Sequence, residues 1–199
     1  MDVRSGYRGK RTFDLIGAAV FCVPGLAVGA ACAAAIKLTS PGPFLFRQER
    51  IGLHGRPFVT LKFRTMTNAD NPLFPEPERI TKVGHWLRRL SLDELPQLWN
   101  IIRGEMSIVG PRPALGYQVE RYDERQRRRL LVRPGLTGLA QVRGRNSLRW
   151  SQRIEHDLEY VDRQSLWLDL SILMRTVGAV LGGAGVTGHP TDDPIASPD

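Results

Sequence analysis

The sequence predicts an α+β chain, mostly helical, with an N-terminal membrane helix, a small β-hairpin and amphipathic helices suited to a membrane interface. Three observations carry this. Residues 15–36 contain no charged side chain. Two short apolar–polar alternations flank His54-Gly55, the pattern of paired strands. From residue 91 onward, apolar residues recur at helical spacing. The 199 residues are enough to bury a core, and an apolar content of 42% excludes a disordered chain. A net charge of +8, with an acidic tail beyond Arg175, points to a polyanionic partner: nucleic acid, anionic headgroups or phosphorylated substrates. Cys22 and Cys32 are the only cysteines, which excludes a disulfide framework and a cysteine-based zinc site.

The uncharged run is 22 residues long and as a helix reaches about 33 Å, enough for the hydrocarbon core. It is long for a signal peptide and lacks a polar mature start. A plain span fits poorly. Pro24-Gly25 lies near the middle, where a proline removes a helical hydrogen bond. Basic residues stand on both flanks, Arg4, Arg8, Lys10 and Arg11 before it and Lys37, Arg47 and Arg50 after it, against a one-sided charge bias. A helix broken at Pro24 that returns to its own face satisfies both observations; a kinked span and a signal peptide stay open. Asp14 is expected to pair with Arg11 or Lys10.

SPGP at residues 40–43 stops any helix. FLFRQERIG, LHGR and PFVTLKFRTM then read as the hairpin, residues 68–77 as a loop, and residues 81–90 as a short basic helix or turn. A helix follows from residue 91 to about 103. GPRP at 110–113 reads as a rigid loop, 115–131 as one charged helix, and RPGLTG at 133–138 as a turn. Helices are predicted over 147–162 and 165–181, the latter lying in the interface or packing on the body. The division expected is a membrane helix over 1–38, a catalytic domain over 39–182 and a flexible tail over 183–199.

SLDELPQLWN, residues 91–100, is the stretch richest in chemistry. Ser91 and Glu94 have the spacing of a capping box, and Leu92, Leu95, Trp99 and Ile102 the spacing of a buried face. On that reading Asp93 and Glu94 decorate a helix N-terminus. The other reading takes Asp93 as a nucleophile for phosphorus, with Gln97 and Asn100 projecting beside it. Basic residues in rigid settings support the second: Lys62 and Arg64 end the second strand, Arg88 and Arg89 precede the acidic pair, Arg112 sits between prolines, and Arg143 and Arg145 flank Gly144. Such arginines suit bidentate phosphate recognition. The run over 125–129, RQRRR, reads as a solvated face or a headgroup contact.

KRTFD, SPGPFLFRQERIG, LKFRTM, SLDELPQLWN, GEMSIVGPRP, RPGLTGLAQVRGRN and DLEYV follow one another in a specific order. On these motifs the chain resembles, over roughly residues 8–190, the bacterial sugar transferases that act on polyprenyl phosphate, the small monotopic phosphoglycosyl transferases. The resemblance implies transfer of a sugar-1-phosphate from a nucleoside diphosphate sugar, usually a UDP-sugar, to undecaprenyl phosphate, releasing UMP. It implies that Asp93 attacks phosphorus and forms a phosphoryl-aspartate, with Glu94 assisting and Mg²⁺ beside Asp93. Lys62, Arg88, Arg112 and Arg145 match its phosphate-handling residues, and Asp157 an acid of a later helix. Pro24 matches the proline of its re-entrant helix. The implied setting is the cytoplasmic face of the bacterial inner membrane, in contact with membrane lipids; the sequence leaves a homodimer open. Three departures stand out. Val23 replaces a serine, Leu139 an aromatic residue and Arg143 an amide, the last two expected near the nucleotide or membrane edge.

Two other classes compete. Nucleic-acid binding is allowed by charge alone, but no recognition helix or stacking platform accompanies it. A non-catalytic membrane protein would have no need of the acidic pair and its arginines. Within the enzyme class, the alternative is direct attack by the lipid phosphate in a ternary complex, with the acidic pair holding Mg²⁺.

Overall fold

The computed structural model describes residues 6–67, 79–144 and 148–181. The loop read over 68–77, Arg145 and the tail therefore lie outside the described residues. The architecture is α+β and mostly helical. Helix α1 (Lys10–Thr39) leads into the antiparallel hairpin of β1 (Leu45–Ile51) and β2 (Pro57–Phe63). Then come α2 (Lys82–Arg89), α3 (Gln97–Arg103) and β3 (Ser107–Val109). Two short helices follow, α4 (Gly116–Glu120) and α5 (Glu124–Arg127), then β4 (Gly135–Thr137), α6 (Leu139–Arg143), α7 (Trp150–Arg163) and α8 (Leu166–Leu181).

Helix α1 is 30 residues long with Pro24 inside it. Pro24 removes one backbone bond within it, which is where a helix kinks, and helical turns continue on either side. The helix touches the body along its whole length. Arg11 donates to the carbonyls of Ile101 (2.6 Å) and Ile102 (2.8 Å). Asp14 accepts from the Ser107 hydroxyl (2.8 Å) and the Ile108 amide (3.1 Å). Gly25 lies over Leu95 and Leu98, and Gly29 over Phe63. Cys32 and Ile36 share a core cluster with Phe63 and Leu87. The opposite face is apolar and open, with Ile16, Val20, Phe21, Val23, Leu26 and Leu38 all exposed. By length and composition α1 is able to cross a membrane.

Asp14 pairs with Lys10 at 3.2 Å, as one of the two expected partners, but it is fully buried against the body. Lys10 also reaches Asp169 of α8 at 2.8 Å. Helix α8 divides its apolar residues between two faces. Ile172, Leu168 and Leu173 pack in the main core with Ile101, Met106 and Tyr160, while Trp167, Met174 and Val177 face out.

Four expectations are corrected. The helix expected from residue 91 is a single 3₁₀ turn over Leu92–Glu94, and α3 begins only after Pro96. Pro96 is thus tolerated at the helix start, where its missing N–H has no partner to lose. The helix expected over 115–131 is α4, α5 and a 3₁₀ turn over Arg128–Leu131. The turn RPGLTG contains β4, which pairs in parallel with β3. Leu139 is buried in the main core, away from any edge.

Helix α2 is seated by a close backbone approach. Thr81 caps it by accepting from the Gly84 amide at 2.8 Å, and a Cβ on Gly84 would lie 2.0 Å from the Thr65 carbonyl oxygen. Gly84→Ala is expected to lower the melting temperature by several degrees, in line with overpacking costs of about 1–3 kcal/mol. It should also displace Arg88 and lower turnover. A thermal melt and an activity assay check this; an unchanged melting temperature would count against it.

Candidate active site

The acidic pair stands on the 3₁₀ turn between α2 and α3. Ser91 opens that turn with φ of 55°, a left-handed conformation costly for a residue with a Cβ. Its hydroxyl makes no cap bond, so the capping box is corrected. Glu94 turns to cations instead of to the backbone. Leu92 and Leu95 beside it pack on the cluster of Cys32, Ile36, Phe63 and Leu87. The turn is thereby wedged between α1 and β2.

Glu94 Oε1 accepts from Lys62 Nζ at 2.6 Å and from Arg112 Nη2 at 3.1 Å. Burial pushes the Glu94 carboxyl up, but Lys62 and Arg112 outweigh it and hold the group at about 2. Asp93 behaves in the opposite way. Burial and the neighbouring Glu94 charge raise it to about 6, against the pull of Lys62, Arg88 and Arg112. Among the described residues Asp93 has no ion pair within 4 Å, whereas Glu94 has two. One carboxylate is therefore locked and the other is left available.

The cations come from four parts of the chain. Lys62 is on β2. Arg88 is at the end of α2 and is held by the Thr65 hydroxyl at 2.9 Å. Arg112 is on the loop after β3, whose path is set by backbone bonds from Gly135 to Pro111 (2.8 Å) and from Gly110 to Thr137 (2.9 Å). Arg129 sits beneath that loop and donates to the Arg112 carbonyl at 2.9 Å. It also bonds Tyr122 and Asp157, and is almost fully buried. The reading of residues 125–129 as a solvated face is thus corrected for Arg129, although Arg125 and Arg128 make exposed ion pairs with Glu155 and Asp162.

Asp157 is buried, and burial raises its carboxyl to about 6 against the pull of Arg129. It reaches the site through Arg129 and the Arg112 backbone. Arg64 is not brought to the acidic pair. Its guanidinium bonds Ser40 and the Pro41 carbonyl, closing the turn after α1. Asn100 is corrected too: its Oδ1 accepts from Leu61 N–H (3.2 Å) and its Nδ2 donates to Val59 O (2.8 Å), filling the free edge of β2. Gln97 does line the cleft, with Lys62, Glu94 and Arg112. Arg143 bonds Glu159 at 2.9 Å on α7. Sequence reasoning missed Arg129 and Arg50. The period-two register of the hairpin carried a signal for Arg50, since residues 48, 50, 60 and 62 share one face.

Among the described residues no group of three His, Cys, Asp or Glu forms a closed metal cage. Mg²⁺ commonly binds through one or two carboxylates together with substrate phosphates and water. The available Asp93 carboxylate fits that need.

The family model for bacterial sugar transferases matches residues 6–183. The chain is 44% identical over 187 residues to the "Uncharacterized sugar transferase EpsL" of Bacillus subtilis, covering 92% of this chain and 93% of that protein. It is 45% identical over 185 residues to the UDP-glucose:undecaprenyl-phosphate glucose-1-phosphate transferase of Caulobacter vibrioides, covering 86% of this chain and 69% of that one. The Escherichia coli protein of the same name is 41% identical, and the match covers 84% of this chain but 39% of the relative. Motif order, an acidic turn ringed by cations and near full-length similarity agree, and the chain belongs to the bacterial sugar transferase family.

Proposed function

We propose that this protein is a phosphoglycosyl transferase that moves a sugar-1-phosphate from a UDP-sugar to undecaprenyl phosphate through a covalent phosphoryl-aspartate. The observation that carries the reading is the division within the acidic pair: Glu94 is held anionic by Lys62 and Arg112, and Asp93 is left without an ion pair among the described residues. The Asp93 carboxylate attacks the phosphorus bonded to the sugar. The bond from that phosphorus to the UMP oxygen breaks, and UMP leaves with the electron pair. The lipid phosphate then attacks the phosphoryl-aspartate, which frees Asp93 and yields the lipid diphosphate sugar. Lys62, Arg88 and Arg112 stabilise the charge that grows on phosphate oxygens. A carboxylate held near 2 takes up a proton poorly, so Glu94 acts by aiming Lys62 and Arg112 rather than as a base. Mg²⁺, held by Asp93, donor phosphate oxygens and water, would neutralise diphosphate charge when bound.

The test is incubation with labelled UDP-sugars and Mg²⁺ in the absence of lipid. Attached label with stoichiometric UMP release is expected. UMP release only after lipid is added would favour the ternary reading.

Helix α1 supports a re-entrant membrane arrangement. Both of its ends are bonded to one body, by Arg11 to α3 and by Ser40 to Arg64, and its outer face is apolar. We read it as entering and leaving the cytoplasmic leaflet on the same side. Cysteines placed at positions 3 and 39 should label from one side; opposite sides would sink this. Trp167 is 80% exposed on α8 and suits an interface helix. Its fluorescence should fall with lipid-borne quenchers; the other tryptophans, replaced by Phe, remove their background. An unquenched signal would place α8 away from the interface.

A further inference from the structure

Among the described residues, Arg50 is a cation without a carboxylate partner inside the cleft. It sits on β1 opposite Phe58, in the register that pairs Gln48 with Thr60 and Phe46 with Lys62. Residues directly opposite in an antiparallel pair share a face, so Arg50 and Lys62 point the same way. Both line one open cleft with Glu94, Gln97 and Arg112. The Arg50 guanidinium donates to the Pro113 carbonyl at 3.3 Å and to Gln48 Oε1 at 2.5 Å. Neither acceptor is charged.

The charges facing this point do not balance. Burial and the neighbouring Arg112 push Arg50 down to about 10, with Glu94 and Tyr117 pulling the other way. It is still cationic at neutral pH. Glu94 already serves Lys62 and Arg112. Burying a guanidinium without an anion is costly, and planar arginine forks match phosphate oxygens. Backbone coupling holds the group in place, since the next residue, Ile51, donates its amide to the Ala114 carbonyl at 2.9 Å.

We propose that Arg50 binds a substrate phosphate in this cleft, alongside Lys62 and Arg112. The ligand chemistry is a phosphate oxygen, supplied either by the donor diphosphate or by the acceptor monophosphate. The assignment rests on the transfer reaction proposed above. The competing role is a strut under Pro113, which would affect the loop and no ligand.

The test uses the full chain in lipid nanodiscs, with wild type, Arg50→Gln and Arg50→Lys. Steady-state kinetics are run against the UDP-sugar that wild type turns over fastest and against undecaprenyl phosphate. Arg50→Gln is expected to raise one KM about tenfold, the loss of a charge-assisted bidentate contact, with kcat changed less. Arg50→Lys should lie between it and wild type, and keeps the test available if the Gln variant does not fold. A raised donor KM names the diphosphate as the source, and a raised acceptor KM names the lipid phosphate. Unchanged values of both KM, or a lower kcat alone, would overturn the proposal in favour of the strut. Thermal shift by inorganic pyrophosphate separates this from failure of the reaction itself. If wild type turns over no UDP-sugar, the transfer reading falls; a pyrophosphate shift that is reduced in Arg50→Lys then still supports phosphate binding by Arg50, and an equal shift overturns it.

Discussion

Asp93→Asn is expected to reduce UMP release by a factor on the order of a thousand or more, because an amide does not attack phosphorus. The same substitution should raise the melting temperature at pH 8. Burial and Glu94 raise the folded-state value of Asp93 from 3.8 to about 6. The folded protein therefore binds this proton more tightly than the unfolded chain does. Below pH 3.8 both states are protonated and the group is neutral in the balance. Stability is lost as pH rises from there to about 6, and the full cost stands above it. An amide carries no such cost, so the stabilising effect of Asp93→Asn should shrink as pH falls below 6. Thermal melts in the absence of Mg²⁺ at pH 5 and pH 8, together with a turnover assay, read both effects. Equal melting temperatures at pH 8 would remove the electrostatic account. Retained turnover would remove Asp93 as nucleophile. For the same reason, wild-type activity should decline on the acid side as Asp93 takes up a proton.

Lys10→Met should be strongly destabilising, by about 3–5 kcal/mol, the cost of leaving buried charge unpaired. Asp14 and Asp169 are both fully buried, and Lys10 serves them at 3.2 and 2.8 Å. The Tyr7 and Tyr160 hydroxyls also donate to Asp169, at 3.0 and 2.8 Å. Burial already raises the Asp169 carboxyl against the pull of Lys10. Without the ammonium, two carboxylates share a site with hydroxyl and amide donors alone. The pair also joins α1 to α8, so its loss should loosen the membrane helix from the body. A drop in melting temperature on the order of 10 °C is expected for a chain of this size, with partial recovery when Asp169→Asn is added. A melt unchanged by Lys10→Met would show that the pair adds no net stability.

The route from sequence to site differed from residue to residue. Asp93 and Glu94 stood out because two acids sit in a motif whose order of neighbours is specific. Their environment did not follow from that motif. A helix is expected at residue 91; Ser91 is in a left-handed conformation instead, and Glu94 bonds Lys62 and Arg112 rather than a cap. Arg112 stood out by its flanking prolines. Arg129 did not, since nothing in a run of arginines marks the one that turns inward to Tyr122 and Asp157. Arg64 was misread in the opposite sense, as a basic strand end whose partner proved to be the turn at Ser40.

By itself the sequence determined what depends on near neighbours: the apolar helix, the hairpin, the helices α7 and α8 and the acidic motif. These follow from periodicity and turn chemistry, which act over a few residues. The tertiary structure alone decided which charge meets which. Lys10 and Asp169 lie 159 residues apart in sequence, and Lys62 and Glu94 lie 32 apart. The parallel pairing of β3 with β4 joins segments that carry no local strand signal. A side chain's charge is legible anywhere in a sequence, but its partner is set by which segments pack together, and burial then decides whether that charge is held, shifted or left available for a ligand.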